Sequence, residues 1–181
     1  VGVVAAIVVV AAAWGRGEEV GYAEKHYTRS TLFLQEGGPQ KAYEFTRDLK
    51  DKRIALAGSG EIFFGQYGFY GVDRSNHVQY IGKEGPKASY RLFSSCKAFI
   101  NELNAGDYDF LITSEWTQDA PDAPFRYPVR DWVKDDPAIE EVVAEPDITP
   151  QPDYVYKITG KLDPARCDRL EEPAADQPDE S

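Results

Sequence analysis

Three glycines that follow a short apolar run are the first residues whose spacing could serve chemistry. Gly58, Gly60 and Gly65 come directly after a predicted strand at 53–57, where a dinucleotide-binding fold places its GxGxxG loop. The third glycine of that motif would stand at position 63, which is Phe63. A bulky ring there would keep the backbone away from a pyrophosphate. The pattern therefore favours a loop with aromatic packing over a nucleotide site.

Nucleophiles and possible metal ligands are present, but their spacing matches no catalytic motif. A triad of Ser59, His77 and Asp73 can be drawn, yet Ser59 does not lie in a GxSxG nucleophile elbow. His26 and His77 are far apart and belong to no HExxH or similar zinc motif. We predict no catalytic residue, no metal site and no cofactor in this segment.

Two pairs of neighbouring carboxylates could in principle share acid and base roles. Asp107 lies close to Asp109, and Asp135 precedes Asp136. Each pair is flanked by turn residues, so the sequence favours solvated turns or helix caps over an acid–base couple.

The chain contains two cysteines, and their positions suggest a bridge. Cys96 begins a predicted helix, whereas Cys167 follows the last predicted strand in a segment that would otherwise fray. A disulfide would tie down the C-terminal end and would indicate an oxidising compartment. The alternative is two unrelated thiols, one of them buried.

The elements that would position these residues alternate between strands and helices. Strands are predicted at 53–57, 77–81, 108–113, 140–144 and 154–158, and helices at 39–49, 95–104 and 129–134. A strand, a helix and a strand at this spacing imply a parallel crossover. The fold class is therefore α/β: a small Rossmann-like, mostly parallel sheet of four to five strands flanked by helices. The last two strands are close enough to pair antiparallel at its edge.

The N-terminus is apolar throughout its first thirteen residues, VGVVAAIVVVAAA, which Trp14 and Arg16 follow. An aromatic residue and then a polar exit are typical of the end of a transmembrane helix. Thirteen residues are too few to span a bilayer, so we interpret 1–15 as the end of such a helix. A signal-peptide remnant and a buried core element are the alternatives.

The remaining boundaries follow from composition and charge. We assign 16–50 to a connector and helix, 51–169 to one α/β domain and 170–181 to an acidic disordered tail. The 181 residues suit one domain. The net charge of −11 arises after position 110, where seven basic residues face eighteen acidic ones. This balance argues against a nucleic-acid partner.

Several ordered segments together resemble the C-terminal part of bacterial multi-spanning membrane glycosyltransferases. These enzymes are of the protein-mannosyltransferase and aminoarabinose-transferase type, which use polyprenyl-phosphate sugars. The segments are RIALAG (53–58), QYGFYGVDRSNHVQYIG (66–82), FINELNAGDYDFLIT (99–113), Trp132, DPAI (136–139) and DYVYKITGKLDPARC (153–167).

This resemblance implies a non-catalytic extracytoplasmic domain at the cell membrane, whose enzyme transfers a sugar from a polyprenyl-phosphate donor to a glycan acceptor. The catalytic acidic residue of such enzymes lies in an early loop, and no position here matches it. The alternative is a membrane-anchored module that binds carbohydrate or an envelope polymer, and a third hypothesis is an autonomous hydrolase.

Within the domain, the loop from position 66 to 79 is the surface we expect to contact a ligand, because loops that follow strands in parallel sheets carry function. Its aromatic side chains could equally pack the domain. The candidate ligand-binding residues are Gln66, Tyr67, Tyr70, Asp73, Asn76 and Gln79.

Overall fold

The computed structural model of the chain describes most of the predicted domain. The described residues are 40–58, 66–85, 90–114, 117–118, 125–126, 128–145 and 153–170. The predicted membrane helix at 1–15, most of the connector and the acidic tail beyond Leu170 lie outside them. Among the helices of the described ranges, none is both long and apolar enough to cross a membrane.

Three α-helices and nine strands are present in these ranges. The helices are α1 (Gln40–Arg47), α2 (Cys96–Ala105) and α3 (Val129–Val133). The strands are β1 (Arg53–Gly58), β2 (His77–Tyr80), β3 (Lys83–Glu84), β4 (Tyr90–Arg91), β5 (Phe110–Ser114), β6 (Thr117–Gln118), β7 (Phe125–Arg126), β8 (Ile139–Glu145) and β9 (Asp153–Ile158). Two 3-10 helices cover Gln66–Tyr70 and Pro164–Arg169. The sequence predicted the three helices and the five long strands, but not the short pairs β3–β4 and β6–β7.

Five strands form the central sheet in the order β2-β1-β5-β9-β8. Strand β1 pairs in parallel with β2 and with β5. Strand β9 is antiparallel to both β5 and β8. The α/β class is confirmed, but the sheet is mixed rather than mostly parallel, because two of its four pairings are antiparallel.

The connection between β8 and β9 explains the mixed sheet. Only residues 146–152 separate the two strands, whereas a parallel connection needs a crossover of a dozen or more residues. The predicted antiparallel pair is thus confirmed, with β8 at the edge. The sequence did not indicate that β9 would also pair with β5.

Both faces of the sheet are buried, each under its own layer. The α2 face is covered by α2, α3 and the 3-10 helix at 164–169, and its core includes Ala55, Leu111 and Tyr156. The α1 face is covered by α1 and the 3-10 helix at 66–70, with Ile54 and Val155 in its core. Burial on both sides explains why β1 is an uninterrupted apolar run.

Helix α2 begins with a serine cap and ends without a left-handed glycine. The Ser95 side chain accepts a hydrogen bond from the Ala98 amide at 3.4 Å, as an N-cap does. At the other end Gly106 is right-handed, and Asp107 takes the left-handed conformation with φ of 48°. Gly106 is needed for space, because a Cβ there would overlap the Tyr108 ring.

The C-terminal segment is attached to the α2 face by a disulfide. Cys96 and Cys167 are bonded, with their Cα atoms 5.7 Å apart, and both side chains are buried. The predicted bridge is confirmed in the structure. It links the first turn of α2 to the 3-10 helix at 164–169.

Candidate functional site

One residue of the predicted ligand-binding loop, Asn76, is buried and hydrogen-bonded within the fold. Asn76 is 4% exposed. Its Oδ1 accepts a hydrogen bond from the Lys52 amide at 3.1 Å, and its Nδ2 donates to the Phe69 carbonyl at 3.2 Å. The side chain therefore joins the start of β1 to the 3-10 helix at 66–70, which occupies both ends of its amide.

Asp73 also makes local contacts, at the turn before β2. Its Oδ1 accepts a hydrogen bond from the Ser75 amide at 3.1 Å, and Lys50 Nζ lies 3.6 Å from its Oδ2. Hydrogen bonding to the Ser75 side chain, together with the Lys50 charge, holds the pKa of Asp73 below its usual value. The carboxylate is ionised across the physiological range.

The other four candidates are dispersed rather than grouped around one point. Tyr67 is 44% exposed, and Gln66 and Tyr70 are half-buried on the α1 face. Gln79 is exposed and alternates with Val78 and Tyr80, which belong to the α1 core, so it lies on the opposite side of β2. The six residues do not line one pocket, and their role in binding stays a prediction.

A pocket of about 250 Å³ opens at the end of the sheet where β5 begins. We call it the amino-edge pocket. Three segments meet there: the C-terminal end of α2, the turn into β5 and the residues after β9. They meet because β9 is antiparallel to β5 and so ends where β5 starts. The lining residues are Leu103, Asn104, Asp107, Tyr108, Ile158, Gly160 and Lys161.

The polar part of the amino-edge pocket is a pair of opposite charges. Lys161 Nζ donates to the Asn104 carbonyl and to Asp107 Oδ1. Both side chains remain largely exposed, at 62% for Lys161 and 79% for Asp107. The hydrogen bond and charge of Lys161 lower the pKa of Asp107, so the pocket carries one cation and one anion at neutral pH.

Asn104 fixes the wall that carries Lys161. Its Nδ2 donates to the Leu162 carbonyl at 2.9 Å, and its Oδ1 accepts from the Leu162 amide at 2.9 Å. Both ends of the amide are thus used by the fold. The backbone after β9 is held against α2, and Gly160 and Lys161 have a defined position in the pocket.

The apolar part of the amino-edge pocket is formed by Leu103, Tyr108 and Ile158. Tyr108 is only 6% exposed, and burial raises the pKa of its hydroxyl. The Arg53 guanidinium lies 5.7 Å from the centre of the Tyr108 ring, and its Nε donates to the Gly106 carbonyl at 3.0 Å. The ring is therefore a neutral and rigid surface.

These groups can bind a ligand through hydrogen bonds and apolar contact. In the described part of the chain, no three His, Cys, Asp or Glu side chains are grouped as a metal site would require. Sequence reasoning singled out Asp107 but interpreted it as a turn residue. Lys161 was missed, because nothing in the sequence indicates that β9 returns to the start of β5.

The opposite edge of the sheet holds a second feature of interest. Asp153 opens β9 beside Ser114, the last residue of β5, and is 1% exposed. Doubly wound proteins bind ligands at this carboxyl edge. The segments that follow β1 and β5, including Ser59 of the hypothetical triad, lie outside the described residues. The amino-edge pocket is accordingly the site that can be built from described residues.

Comparison with protein-family models, with curated proteins and with solved structures finds no match to this chain.

Proposed function

We propose that this chain is the extracytoplasmic α/β domain of a membrane glycosyltransferase that transfers a sugar from a polyprenyl-phosphate donor to a glycan acceptor. The observation that carries the proposal is the Cys96–Cys167 disulfide. Disulfides persist in oxidising compartments and are rare in the cytosol. A bridge that includes both cysteines of the sequence supports a domain outside the cytoplasm.

The apolar N-terminal run supports attachment to the membrane. Its thirteen residues carry no polar side chain, and Trp14 follows them directly. Such a pattern is typical of a helix that leaves the bilayer at its aromatic interface. In the proposal, the cell membrane holds the domain through this segment, and the donor and acceptor are bound by the whole enzyme.

The pocket chemistry supports binding rather than bond breaking as the task of the domain. The charged groups of the amino-edge pocket, Asp107 and Lys161, are already paired with each other. A general acid or base needs a pKa near the operating pH, whereas the pKa of Asp107 is lowered. We therefore assign no catalytic residue to the domain and place catalysis in a membrane part.

Cysteine accessibility tests the proposed location. The Glu102→Cys variant of the full-length gene product carries a thiol on the exposed side of α2. The unsubstituted full-length product is the control for labelling at any other position, because Cys96 and Cys167 are bonded to each other. We expect a membrane-impermeant maleimide to label the variant in intact cells. Labelling only after lysis would place the domain in the cytoplasm and end the proposal.

A transfer assay tests the enzymatic part. Membranes that contain the full-length protein should move radiolabelled sugar from a polyprenyl-phosphate donor to an extracytoplasmic glycan, and membranes without it should not. Several hydrophobic spans in the gene upstream of Val1 would agree with this activity. A single span together with absent transfer would exclude the transferase.

The amino-edge pocket favours one alternative, a membrane-anchored module that binds carbohydrate or an envelope polymer. Such a module needs a concave surface with a few polar groups, and Asp107 and Lys161 provide these beside Tyr108. Labelling in intact cells without any transfer activity is the outcome that selects this alternative.

A further inference from the structure

We propose that the amino-edge pocket binds one neutral pyranose ring of a saccharide. The site is neither in the predicted loop nor at the carboxyl edge of the sheet. Its volume of about 250 Å³ is slightly below the usual range of ligand pockets, about 300 to 1,000 Å³. That size suits a single sugar ring better than a nucleotide or a lipid chain.

The charge of the pocket favours a neutral ligand. Lys161 and Asp107 neutralise each other at hydrogen-bonding distance, and the Asn104 carbonyl at the C-terminal end of α2 adds a partial negative charge. An anion would meet Asp107 and this helix end, and a cation would meet Lys161 and the nearby Arg53 guanidinium. A neutral polyol meets neither repulsion.

The two charged groups keep hydrogen-bonding capacity for such a ligand. An ammonium group has three donors, and Lys161 donates hydrogen bonds to two acceptors, the Asn104 carbonyl and Asp107 Oδ1. A carboxylate has two oxygens with about four acceptor positions, and Lys161 contacts only Oδ1 of Asp107. Adjacent ring hydroxyls can donate to the carboxylate and accept from the ammonium at the same time.

The apolar wall fits the other side of a sugar ring. The C–H groups of a pyranose form an apolar face, and Leu103, Tyr108 and Ile158 present an apolar surface next to the charged pair. Because Arg53 holds the Tyr108 side of the pocket and Asn104 holds the backbone that carries Lys161, little conformational entropy is lost when a ligand binds.

The backbone fixes the position of Asp107 at the end of α2. Its φ of 48° is left-handed, and Gly106 before it is right-handed. Aspartate tolerates this conformation in turns, and Asp51 and Arg74 share it. Capping of α2 requires only the contact between Lys161 and the Asn104 carbonyl. Binding of two adjacent sugar hydroxyls requires both Asp107 and Lys161.

The assignment of a sugar ring to the amino-edge pocket rests on the proposed function in one respect, the origin of the sugar. In the proposed function, the sugar belongs to the extracytoplasmic glycan acceptor. The ligand class itself follows from the pocket. Binding and sugar transfer are therefore measured separately, so that either can fail alone.

The test is an NMR titration of the 181-residue chain in micelles of a detergent without a sugar headgroup. The probes are methyl glycosides of glucose, galactose and mannose, with glucuronate and inorganic phosphate as charged comparisons. We expect one of the neutral glycosides to shift the amides of Gly106, Asp107, Gly160 and Lys161 with a Kd on the order of 1 mM. Stronger binding of glucuronate or phosphate at these amides would overturn the neutral class, and no shift with any probe would overturn the site.

Asp107→Asn is the variant that tests the mechanism, since asparagine also tolerates the left-handed conformation. We expect its affinity to fall about tenfold through loss of a charged hydrogen bond. Asp168→Asn is the matched control, because it removes a carboxylate that pairs with a lysine, Lys97, at 2.8 Å outside the pocket, and it should bind as the wild type does. Equal affinities of both variants, with unchanged amide shifts elsewhere, would exclude the pocket even if transfer activity persists.

Discussion

The two layers that cover the sheet are held in different ways. On the α2 face, the C-terminal segment is attached by the Cys96–Cys167 disulfide and by Asp136, whose Oδ2 accepts from the Asp163 amide at 3.2 Å and lies 3.1 Å from Arg166 Nη1. On the α1 face, α1 and the 3-10 helix at 66–70 are held without a disulfide by side-chain packing, with Tyr43 and Phe69 ring centres 4.6 Å apart.

The difference follows from what each layer has to bury. The segment at 162–170 contributes three apolar side chains to its core, Leu162, Cys167 and Leu170, which is too little to hold a chain end by the hydrophobic effect alone. The disulfide and the buried contacts of Asp136 compensate for the small apolar area that this segment buries. The α1 layer has the rings of Tyr43, Phe45 and Phe69 and a buried polar link through Asn76, and it is held without a disulfide.

Removing the disulfide should have the largest effect and should act on one layer. The Cys96→Ala, Cys167→Ala double variant loses a bridge with a sequence separation of 71 residues, which the loop-entropy account values at about 4 kcal/mol. We expect a loss of this size in urea unfolding. Hydrogen exchange should speed up first at the amides of 165–170.

Reduction of the wild-type chain is the control for this variant. It should reproduce the exchange pattern without any cavity left by the substitutions. Equal loss of protection on both faces, with no preference for the C-terminal segment, would break the contrast between the layers.

The α1 layer, which side-chain packing holds in place, should instead be destabilised by added side-chain volume. A Cβ at Gly68 would overlap the Tyr43 ring, so Gly68→Ala forces the α1 layer to shift, at a cost of about 1–3 kcal/mol in the free energy of unfolding. Gly160→Ala is the matched control, because its Cβ would meet only Ala138 Cβ at 3.7 Å and should change stability by less than about 0.5 kcal/mol.

Measuring the effect of Gly68→Ala with and without reducing agent tests whether the α1 layer is independent of the disulfide. If the α1 layer does not depend on the disulfide, the destabilisation by Gly68→Ala should be the same in oxidised and reduced protein. A much larger loss in the reduced protein would mean that the layers are coupled through the sheet.

The sequence was sufficient for elements whose residues interact locally. The Ser95 cap, the apolar run of β1 and the position of α1 follow from spacing and composition, and the structure has them. The disulfide was also predictable, because Cys167 stands in a segment that would otherwise fray.

What the sequence could not supply depends on tertiary neighbours. The place of β9 between β5 and β8 is decided by pairing across the sheet, and this alone brings Lys161 to Asp107. Asn76 was named as a candidate because it lies in the loop at 66–79, and the sequence does not indicate that the fold uses both ends of its amide. Its partners at Lys52 and Phe69 are visible only in the fold.

The smallest expected effect concerns the exposed polar contacts at the edge of the α1 layer. The pKa of Asp73 is lowered from its ordinary value of 3.8, first by hydrogen bonding to the Ser75 side chain and then by Lys50. A carboxylate whose pKa is lower in the folded than in the unfolded state stabilises the fold when the pH is above its unfolded-state pKa. This contribution is lost as the pH falls through the folded-state pKa.

The wild type should therefore be more stable than Asp73→Asn at pH 7, and this difference in the free energy of unfolding should shrink below about pH 4. Urea unfolding at pH 7, 5, 4 and 3 measures it. Because the Lys50 side chain is 70% exposed, solvent screens the pair and the difference should be well under about 1 kcal/mol. A difference as large as that of the disulfide variant would show that polar links hold the α1 layer too, and a difference that grows in acid would contradict the lowered pKa.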